Sequence, residues 1–149
     1  MSQEDNVKIA REFPAAWNDR DFDRAAKLMA DDGEILIVGT GERFTGPAGA
    51  VKFSQMWADG FPDGRVEVIE TIAEGDRVVV VYRGRGTHTG TLANASGEIP
   101  ATGKEITLDL CDVVEIKDGK VKSVRTYFDS GSLLAQLGLM AAVPAGATA

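Results

Sequence analysis

The chain has 149 residues, of which 44% are hydrophobic and 26% are charged, and its formal net charge is −7. These values are typical of one globular domain with one core. The acidic balance argues against nucleic acid or an anionic membrane as a partner, because both require a basic surface. One cysteine and one histidine exclude an intrachain disulfide and any zinc-finger spacing.

The N-terminal half is typical of helices with one short strand. Its first residues are polar and acidic, unlike a signal peptide, and no apolar run approaches the ~18 residues of a membrane span, so we expect a cytoplasmic protein. Apolar residues at helical spacing then follow; they are Val7, Ala10, Phe13 and Trp17. Pro14 should kink this helix or mark its last turn, and Asp21 should cap a second helix. A strand over 34–40 and a third helix over 45–61 complete this half.

The C-terminal half is typical of strands joined by short turns. The predicted strands cover 65–73, 77–89, 104–116 and 121–128. The intervening segment 90–103 is rich in Gly, Ala, Ser and Pro and predicts a loop. Asp129 or Ser130 should cap a short final helix over 132–138. We expect a single domain over 1–140 and a flexible tail over 141–149.

The order of these elements predicts an α+β fold. The N-terminal helices would pack on one face of a curved, mixed and mainly antiparallel sheet. Such a sheet, if strongly curved, forms a cone. Its helix-covered inner face is a natural place for a small-molecule pocket.

Asp112 interrupts an otherwise apolar strand face. Strand alternation places it with Leu110 and Val114 on one face of the strand over 104–116. An unpaired carboxylate on such a face costs several kcal/mol when ionised, so it needs a partner, a proton or a cavity with solvent. The alternative is a bulge that turns Asp112 outward, and both interpretations remain open.

His88 is the only histidine in the chain and falls on the same predicted face as Tyr82. Gly84 and Gly86 precede it on that face and leave room beside the backbone. A catalytic role and a structural role are both compatible with this position. The catalytic interpretation depends on Asp112, because a carboxylate on the same side would make His88 part of a site.

Several large apolar residues are expected to be core or pocket wall. They are Phe13, Trp17, Met56, Trp57, Phe61 and Phe128. Asp129 invites a catalytic interpretation, but a helix cap explains it as well or better.

Five segments together resemble the SnoaL-like polyketide cyclases, within the larger ketosteroid-isomerase and nuclear-transport-factor-like group. They are "FPAAWNDRDFDRAAKLMADD", "GTHTG", "IPATGKEI", "CDVVEIKDGKV" and "YFDSGSLLAQLG". The resemblance covers roughly residues 5–140. It implies a cone-shaped, cystatin-like α+β barrel, often dimeric, and cofactor-free chemistry such as intramolecular aldol ring closure. It also implies that Asp112 matches the family's pocket aspartate and His88 the histidine of its "GTHxG" motif.

The same resemblance disfavours two related activities. Ketosteroid isomerases carry a tyrosine where this chain has Phe13, and their proton-shuttling aspartate corresponds to Ile37 or Val38. Limonene-epoxide hydrolases need an aspartate where Thr126 stands and an Arg-x-Asp where this chain has Arg85-Gly86-Thr87.

The resulting hypothesis is a cyclase- or isomerase-like enzyme that acts on an apolar, carbonyl-containing, polyketide-like small molecule. Asp112 would be the general acid/base and His88 its assistant. The substrate-binding residues would be Phe13, Trp17, Met56, Trp57, Phe61, Tyr82, Leu110, Thr126 and Phe128. We expect no metal, no cofactor, no nucleic acid and no membrane partner, and a homodimer. The alternative is a non-catalytic small-molecule-binding or dimerisation domain, and a hydroxylase-like relative is a third possibility.

Overall fold

Three helices and a two-stranded hairpin form the N-terminal half of the protein. The computed structural model describes residues 2–95 and 97–140. The elements of this half are α1 (Gln3–Asn18), α2 (Phe22–Leu28), β1 (Met29–Ile37), β2 (Glu42–Thr45) and α3 (Gly46–Gly60). Ser2 and Asp5 form a capping box at the start of α1, and Asp21 accepts a hydrogen bond from the Arg24 amide at the start of α2. Pro14 lies inside α1, which continues for about one more turn.

The C-terminal half contains six strands and a short helix. They are β3 (Arg65–Glu74), β4 (Arg77–Thr87), β5 (Leu92–Asn94), β6 (Gly97–Ile99), β7 (Glu105–Lys117), β8 (Lys120–Phe128) and α4 (Ser130–Gln136). Asp129 caps α4 by accepting a hydrogen bond from the Ser132 amide, which confirms the cap.

A six-stranded sheet forms the centre of the molecule, in the order β2-β1-β8-β7-β4-β3. Strands β1 and β8 run parallel, and every other neighbouring pair is antiparallel. Helices α1 and α3 contact this curved sheet from one side. The predicted α+β fold, with a mixed and mainly antiparallel sheet, is therefore confirmed.

The main core lies between these helices and the inner face of the sheet. It includes Ile35, Val78, Val80, Val114 and Ile116, none more than 3% exposed. A second cluster joins the end of α3 to β5, β7 and α4; its buried members are Phe61, Leu92, Ile106, Leu108, Leu133 and Leu137. Burial of each such side chain contributes about 1.5–3 kcal/mol, so the two clusters fix the inner face of β4 and β7 at both ends.

Two local predictions were wrong. The segment 90–103 is not all loop, because β5 and β6 form a separate hairpin that buries Leu92 to 3% exposure. The first strand starts at Met29 rather than residue 34, and the short strand β2 was not predicted. The expected tail, 141–149, lies outside the described residues. Within 2–95 and 97–140, no helix combines the length and apolar character needed to span a membrane.

Candidate active site

A cavity of about 120 Å³ lies between α1, α3 and the inner face of β3, β4 and β7. This space far exceeds the ~10–15 Å³ that one water molecule needs. Apolar and aromatic side chains form most of its wall; among them are Ala10, Phe13, Trp17, Ile35, Phe53, Trp57, Phe61, Val66, Val80, Ile106, Leu108, Leu110, Val114 and Val124. Among the described residues that line it, Asp112 is the only carboxylate.

Asp112 faces this cavity from the middle of β7. The pairing of β4 with β7 runs without a break from Arg77 to Thr87, so the strand alternation is preserved and Asp112 lies opposite Val80. The nearest bulge of β7, between Glu115 and Ile116, lies beyond Asp112. The prediction that Asp112 shares the inner face is confirmed, and the alternative of an outward-turned carboxylate is excluded.

The surroundings of Asp112 favour its protonated form. Protein atoms enclose the carboxyl group, and burial raises the pKa of Asp112 to about 6. The Thr126 and Tyr82 hydroxyls act in the opposite direction and limit this rise. The residue keeps some accessible surface because it borders the cavity. Asp112 therefore changes charge near neutral pH while remaining reachable from the cavity.

Tyr82 and Thr126 are the polar neighbours of Asp112. The Tyr82 hydroxyl donates a hydrogen bond of 3.1 Å to Asp112 Oδ1. Burial, reinforced by the adjacent carboxylate, raises the pKa of Tyr82 well above its usual value, so the phenol stays protonated. Thr126 lies directly opposite Asp112 on β8, and its buried Oγ1 forms no hydrogen bond within ordinary geometry.

His88 does not join Asp112, contrary to the expected partnership. It follows Val80, the residue opposite Asp112, by eight positions, which is roughly 26 Å of extended strand. His88 is fully buried and does not line the cavity, because Phe61 packs over it with ring centroids 5.3 Å apart. Its Nδ1 accepts a hydrogen bond of 3.2 Å from the Thr102 amide. The structure therefore places His88 as the anchor of the segment that leads into β7.

Burial keeps the His88 ring neutral. It lowers the pKa of His88, and a backbone interaction with Ile99 offsets part of that effect. The Thr102 hydroxyl lies 3.0 Å from Nδ1, while Nε2 is buried without a hydrogen bond of ordinary geometry. A neutral ring is required here, because a protonated Nδ1 cannot accept the Thr102 amide.

The nine predicted substrate-binding residues divide into two groups. Those that line the cavity are Phe13, Trp17, Trp57, Phe61, Tyr82 and Leu110; those that do not are Met56, Thr126 and Phe128. Phe128 instead packs edge-on against Trp57 at 5.5 Å. Met56 contacts both apolar clusters. Thr126 is 1% exposed and lies beside Asp112 on the neighbouring strand β8.

Several cavity residues were not predicted as site residues. Gly64 is one of them. It packs closely against Trp17, since a Cβ at position 64 would lie 2.7 Å from the Trp17 ring. Ser54 is another, and its backbone carbonyl accepts a hydrogen bond of 3.1 Å from Trp17 Nε1. The helical spacing that identified Trp17 gives its face but not its partners. In the part of the chain that the structure describes, no three His, Cys, Asp or Glu side chains are grouped to hold a metal ion.

Solved structures with the same fold cover almost the whole chain. AclR of Streptomyces galilaeus, a candidate hydroxylase, is 26% identical with a TM-score of 0.80, and the match covers 97% of this chain and 91% of AclR. IdmH of Streptomyces antibioticus, a candidate polyketide cyclase, is 25% identical with a TM-score of 0.73, covering 89% and 98%. A candidate SnoaL-like polyketide cyclase of Jannaschia sp. CCS1 is 23% identical with a TM-score of 0.78, covering 95% of each chain. No curated protein sequence matches this chain.

The family assignment rests on a match to the whole domain. The family model described as SnoaL-like polyketide cyclase matches residues 7–137, from α1 to the end of α4. This range contains the sheet, the cavity and Asp112. The chain therefore belongs to the SnoaL-like polyketide cyclase family.

Proposed function

We propose that the protein catalyses ring closure or isomerisation of an apolar, carbonyl-containing small molecule, with Asp112 as its proton carrier. The observation that carries this proposal is a single carboxyl group, with a pKa of about 6, in an otherwise largely apolar cavity. A group that titrates near the working pH can both accept and return a proton. Family membership supports a reaction of the cyclase or isomerase type.

Asp112 would act first as a base and then as an acid. With a pKa of about 6, roughly nine in ten molecules carry the ionised form at pH 7. The carboxylate would remove a proton from the carbon α to a carbonyl. The resulting enolate carbon would attack a second carbonyl, forming a C–C bond, and the new alkoxide would take the proton back from Asp112. The sequence is proton-neutral and leaves Asp112 ionised for the next turnover.

The cavity walls would supply the rest of the catalysis. The rings of Phe13, Trp17 and Trp57 surround the space and would hold a flexible substrate with its reacting carbons close together. Acid/base assistance contributes about 10²–10⁴-fold in rate, so orientation must provide much of the remainder. His88 has no place in this mechanism because it lies outside the cavity.

The alternative is a receptor that binds the same class of molecule without changing it. The separation of His88 from Asp112 favours this alternative, because it leaves one acid/base residue instead of two. A receptor would need the apolar walls but would not need Asp112 to titrate.

We also propose that a second copy of the chain covers the outer face of the sheet. Helices α1 and α3 pack on the inner face, and the outer face carries apolar side chains that remain partly exposed. Ile72, Val79 and Val113 lie side by side on adjacent strands, and Ile72 is 56% exposed. Contiguous apolar patches of this kind mark protein interfaces.

Asp112→Asn tests the proposed reaction. Wild-type protein is incubated with a panel of polyketide-like di- and tricarbonyl compounds, and products are followed by mass spectrometry and NMR. We expect turnover in the wild type and a loss of about 100-fold or more in Asp112→Asn, because the amide cannot accept and return a proton near neutral pH. Asp109→Asn is the matched control, since Asp109 lies three residues earlier on β7, is exposed and pairs with Arg83.

Asp112→Asn should also remain folded. Ionised Asp112 costs the native state about 3 kcal/mol, the equivalent of a pKa raised from 3.8 to about 6. This penalty develops as the pH rises from about 4 to above 6, so the variant should be more stable than wild type at pH 8. Undiminished turnover in a folded Asp112→Asn protein would overturn the mechanism. Tight binding with no turnover in the wild type would favour the receptor.

A further inference from the structure

The two carboxylate oxygens of Asp112 have different environments. Oδ1 accepts the hydrogen bond from Tyr82 at 3.1 Å. The hydrogen bonds of ordinary geometry among the described residues include none to Oδ2, and the Thr126 hydroxyl also acts on the carboxyl group from β8. The described side-chain atoms that are buried without a partner are Glu42 Oε1, His88 Nε2 and Thr126 Oγ1, and Asp112 Oδ2 is not among them. Oδ2 therefore retains accessible surface, and the cavity is the space that Asp112 borders.

We propose that Tyr82 is a positioning residue that assigns the exchangeable proton of Asp112 to Oδ2, the oxygen accessible from the cavity. This inference deepens the proposed function and rests on it. The Tyr82 ring forms part of the cavity wall, and its hydroxyl has a separate role because it contacts Asp112 Oδ1.

The chemistry of a carboxylic acid explains the assignment. In the acid form one oxygen is a hydroxyl donor and the other a carbonyl acceptor. Tyr82 stays protonated and donates its hydrogen to Oδ1, and keeping this hydrogen bond in the acid form requires Oδ1 to be the carbonyl acceptor. The proton then resides on Oδ2, where it can be given to a substrate oxygen. In the ionised form the lone pairs of Oδ2 are free to take a proton from a substrate carbon.

Few other groups compete for this proton. Thr126, opposite on β8, is the other hydroxyl that acts on Asp112 and also acts on Tyr82. The Cys111 thiol interacts electrostatically with both groups, and burial raises its pKa, so it stays neutral. Arg65 and Arg85, which are positively charged, also line the cavity, and the inner faces of α1 and β4 contribute Ala10, Phe13 and Val80, which do not titrate.

Tyr82→Phe removes the hydroxyl and leaves the ring in the core. Because the lost hydrogen bond stabilised the ionised carboxylate, the pKa of Asp112 should rise above its wild-type value of about 6. The proton would also be free to occupy Oδ1, the oxygen that Tyr82 contacts in the wild type. We expect kcat to fall about tenfold, with KM nearly unchanged and the limb of the pH–rate profile moved to higher pH. Carbon-13 NMR of labelled aspartate, assigned by comparison with Asp112→Asn, measures this pKa without a substrate.

The chain provides a matched control because it contains only two tyrosines. Tyr127 is 38% exposed, and Tyr127→Phe should leave the pKa of Asp112 unchanged. In that background, 3-fluorotyrosine labels Tyr82 alone and makes it a stronger donor, so the pKa of Asp112 should fall. This second probe keeps the test valid if Tyr82→Phe folds poorly.

The outcomes separate the inference from the proposed function. Opposite pKa shifts in Tyr82→Phe and in the fluorinated protein support the positioning role, even if every tested compound fails to react. An Asp112 pKa that moves in neither protein overturns the role of Tyr82, even if Asp112→Asn abolishes turnover.

Discussion

A single carboxyl group illustrates how side-chain environment determines chemistry. The chain contains 23 Asp and Glu residues, and most sit on the surface in water or in ion pairs. Surface pairing lowers the pKa of Asp109, whereas burial raises that of Asp112, three positions later in the same strand. An apolar wall raises the free energy of the charged form, and only nearby hydroxyl groups limit that effect. The residue that is least stable as an anion is therefore the one suited to carry a proton.

His88 should act through stability rather than through catalysis. His88→Leu removes the acceptor for the Thr102 amide and should lower the free energy of unfolding by about 1–3 kcal/mol at pH 8. Turnover should stay within about twofold of wild type, because His88 does not border the cavity. His88→Asn offers an oxygen near the position of Nδ1 and should recover part of the loss. Urea unfolding and activity assays measure both effects.

The pH dependence of the unfolding free energy provides a second test of His88→Leu. Because the folded state lowers the pKa of His88 below 6.5, the neutral ring stabilises the native protein above pH 6.5. This contribution is lost as the pH falls through the lowered pKa, so the difference between wild type and His88→Leu should shrink in acid. A folded His88→Leu protein with turnover reduced 100-fold would instead return His88 to the catalytic group.

At the scale of whole elements, strand periodicity predicted which face of the sheet a side chain occupies, but not how far apart two side chains on that face lie. The alternation along β7 correctly placed Asp112 inward, because a two-residue period depends only on backbone geometry. The same rule placed His88 on the inner face of β4, yet it carries no information about distance along a strand. The separation from Asp112 follows from the register of β4 with β7, which depends on contacts between distant parts of the chain.

The missed elements have a similar cause. The hairpin of β5 and β6 has three residues in each strand and a composition typical of a loop. Its position depends on Leu92, which packs against Gly60 at the end of α3. Tertiary packing of one leucine thus overrides local propensity. The partners of Asp112 were missed for the same reason: Tyr82 was predicted as cavity wall, and its hydroxyl contact became visible only in the folded sheet.

At the scale of the molecule, the sheet separates two different environments. Its inner face forms the core and the cavity, while its outer face retains apolar side chains in contact with solvent. Apolar burial contributes about 25 cal/mol per Å², so a second copy placed on this face would be favoured. The assembly would leave the cavity in each copy intact, because the cavity lies on the opposite side of the sheet.

Val79→Lys tests this arrangement. Val79 lies between Ile72 and Val113 on the outer face, so a lysine there would place a charge in the proposed interface. Sedimentation velocity should show a dimer for wild type and a folded monomer for Val79→Lys. Val79→Thr keeps the β-branched shape and should shift the equilibrium less. A wild-type protein that remains monomeric at about 100 µM, where the association free energy would be weaker than about −5.5 kcal/mol, would rule out the second copy.

The central claim concerns the charge state of Asp112 inside the cavity. The most direct test is a carbon-13 NMR titration of the Asp112 carboxyl group in the wild-type protein between pH 3 and pH 9. The structure predicts a midpoint of about 6, well above the 3.8 of an ordinary aspartate, because burial outweighs the opposing effect of the Tyr82 and Thr126 hydroxyl groups. A midpoint at or below 4 would show a carboxylate permanently ionised at neutral pH and would contradict its role as a proton carrier.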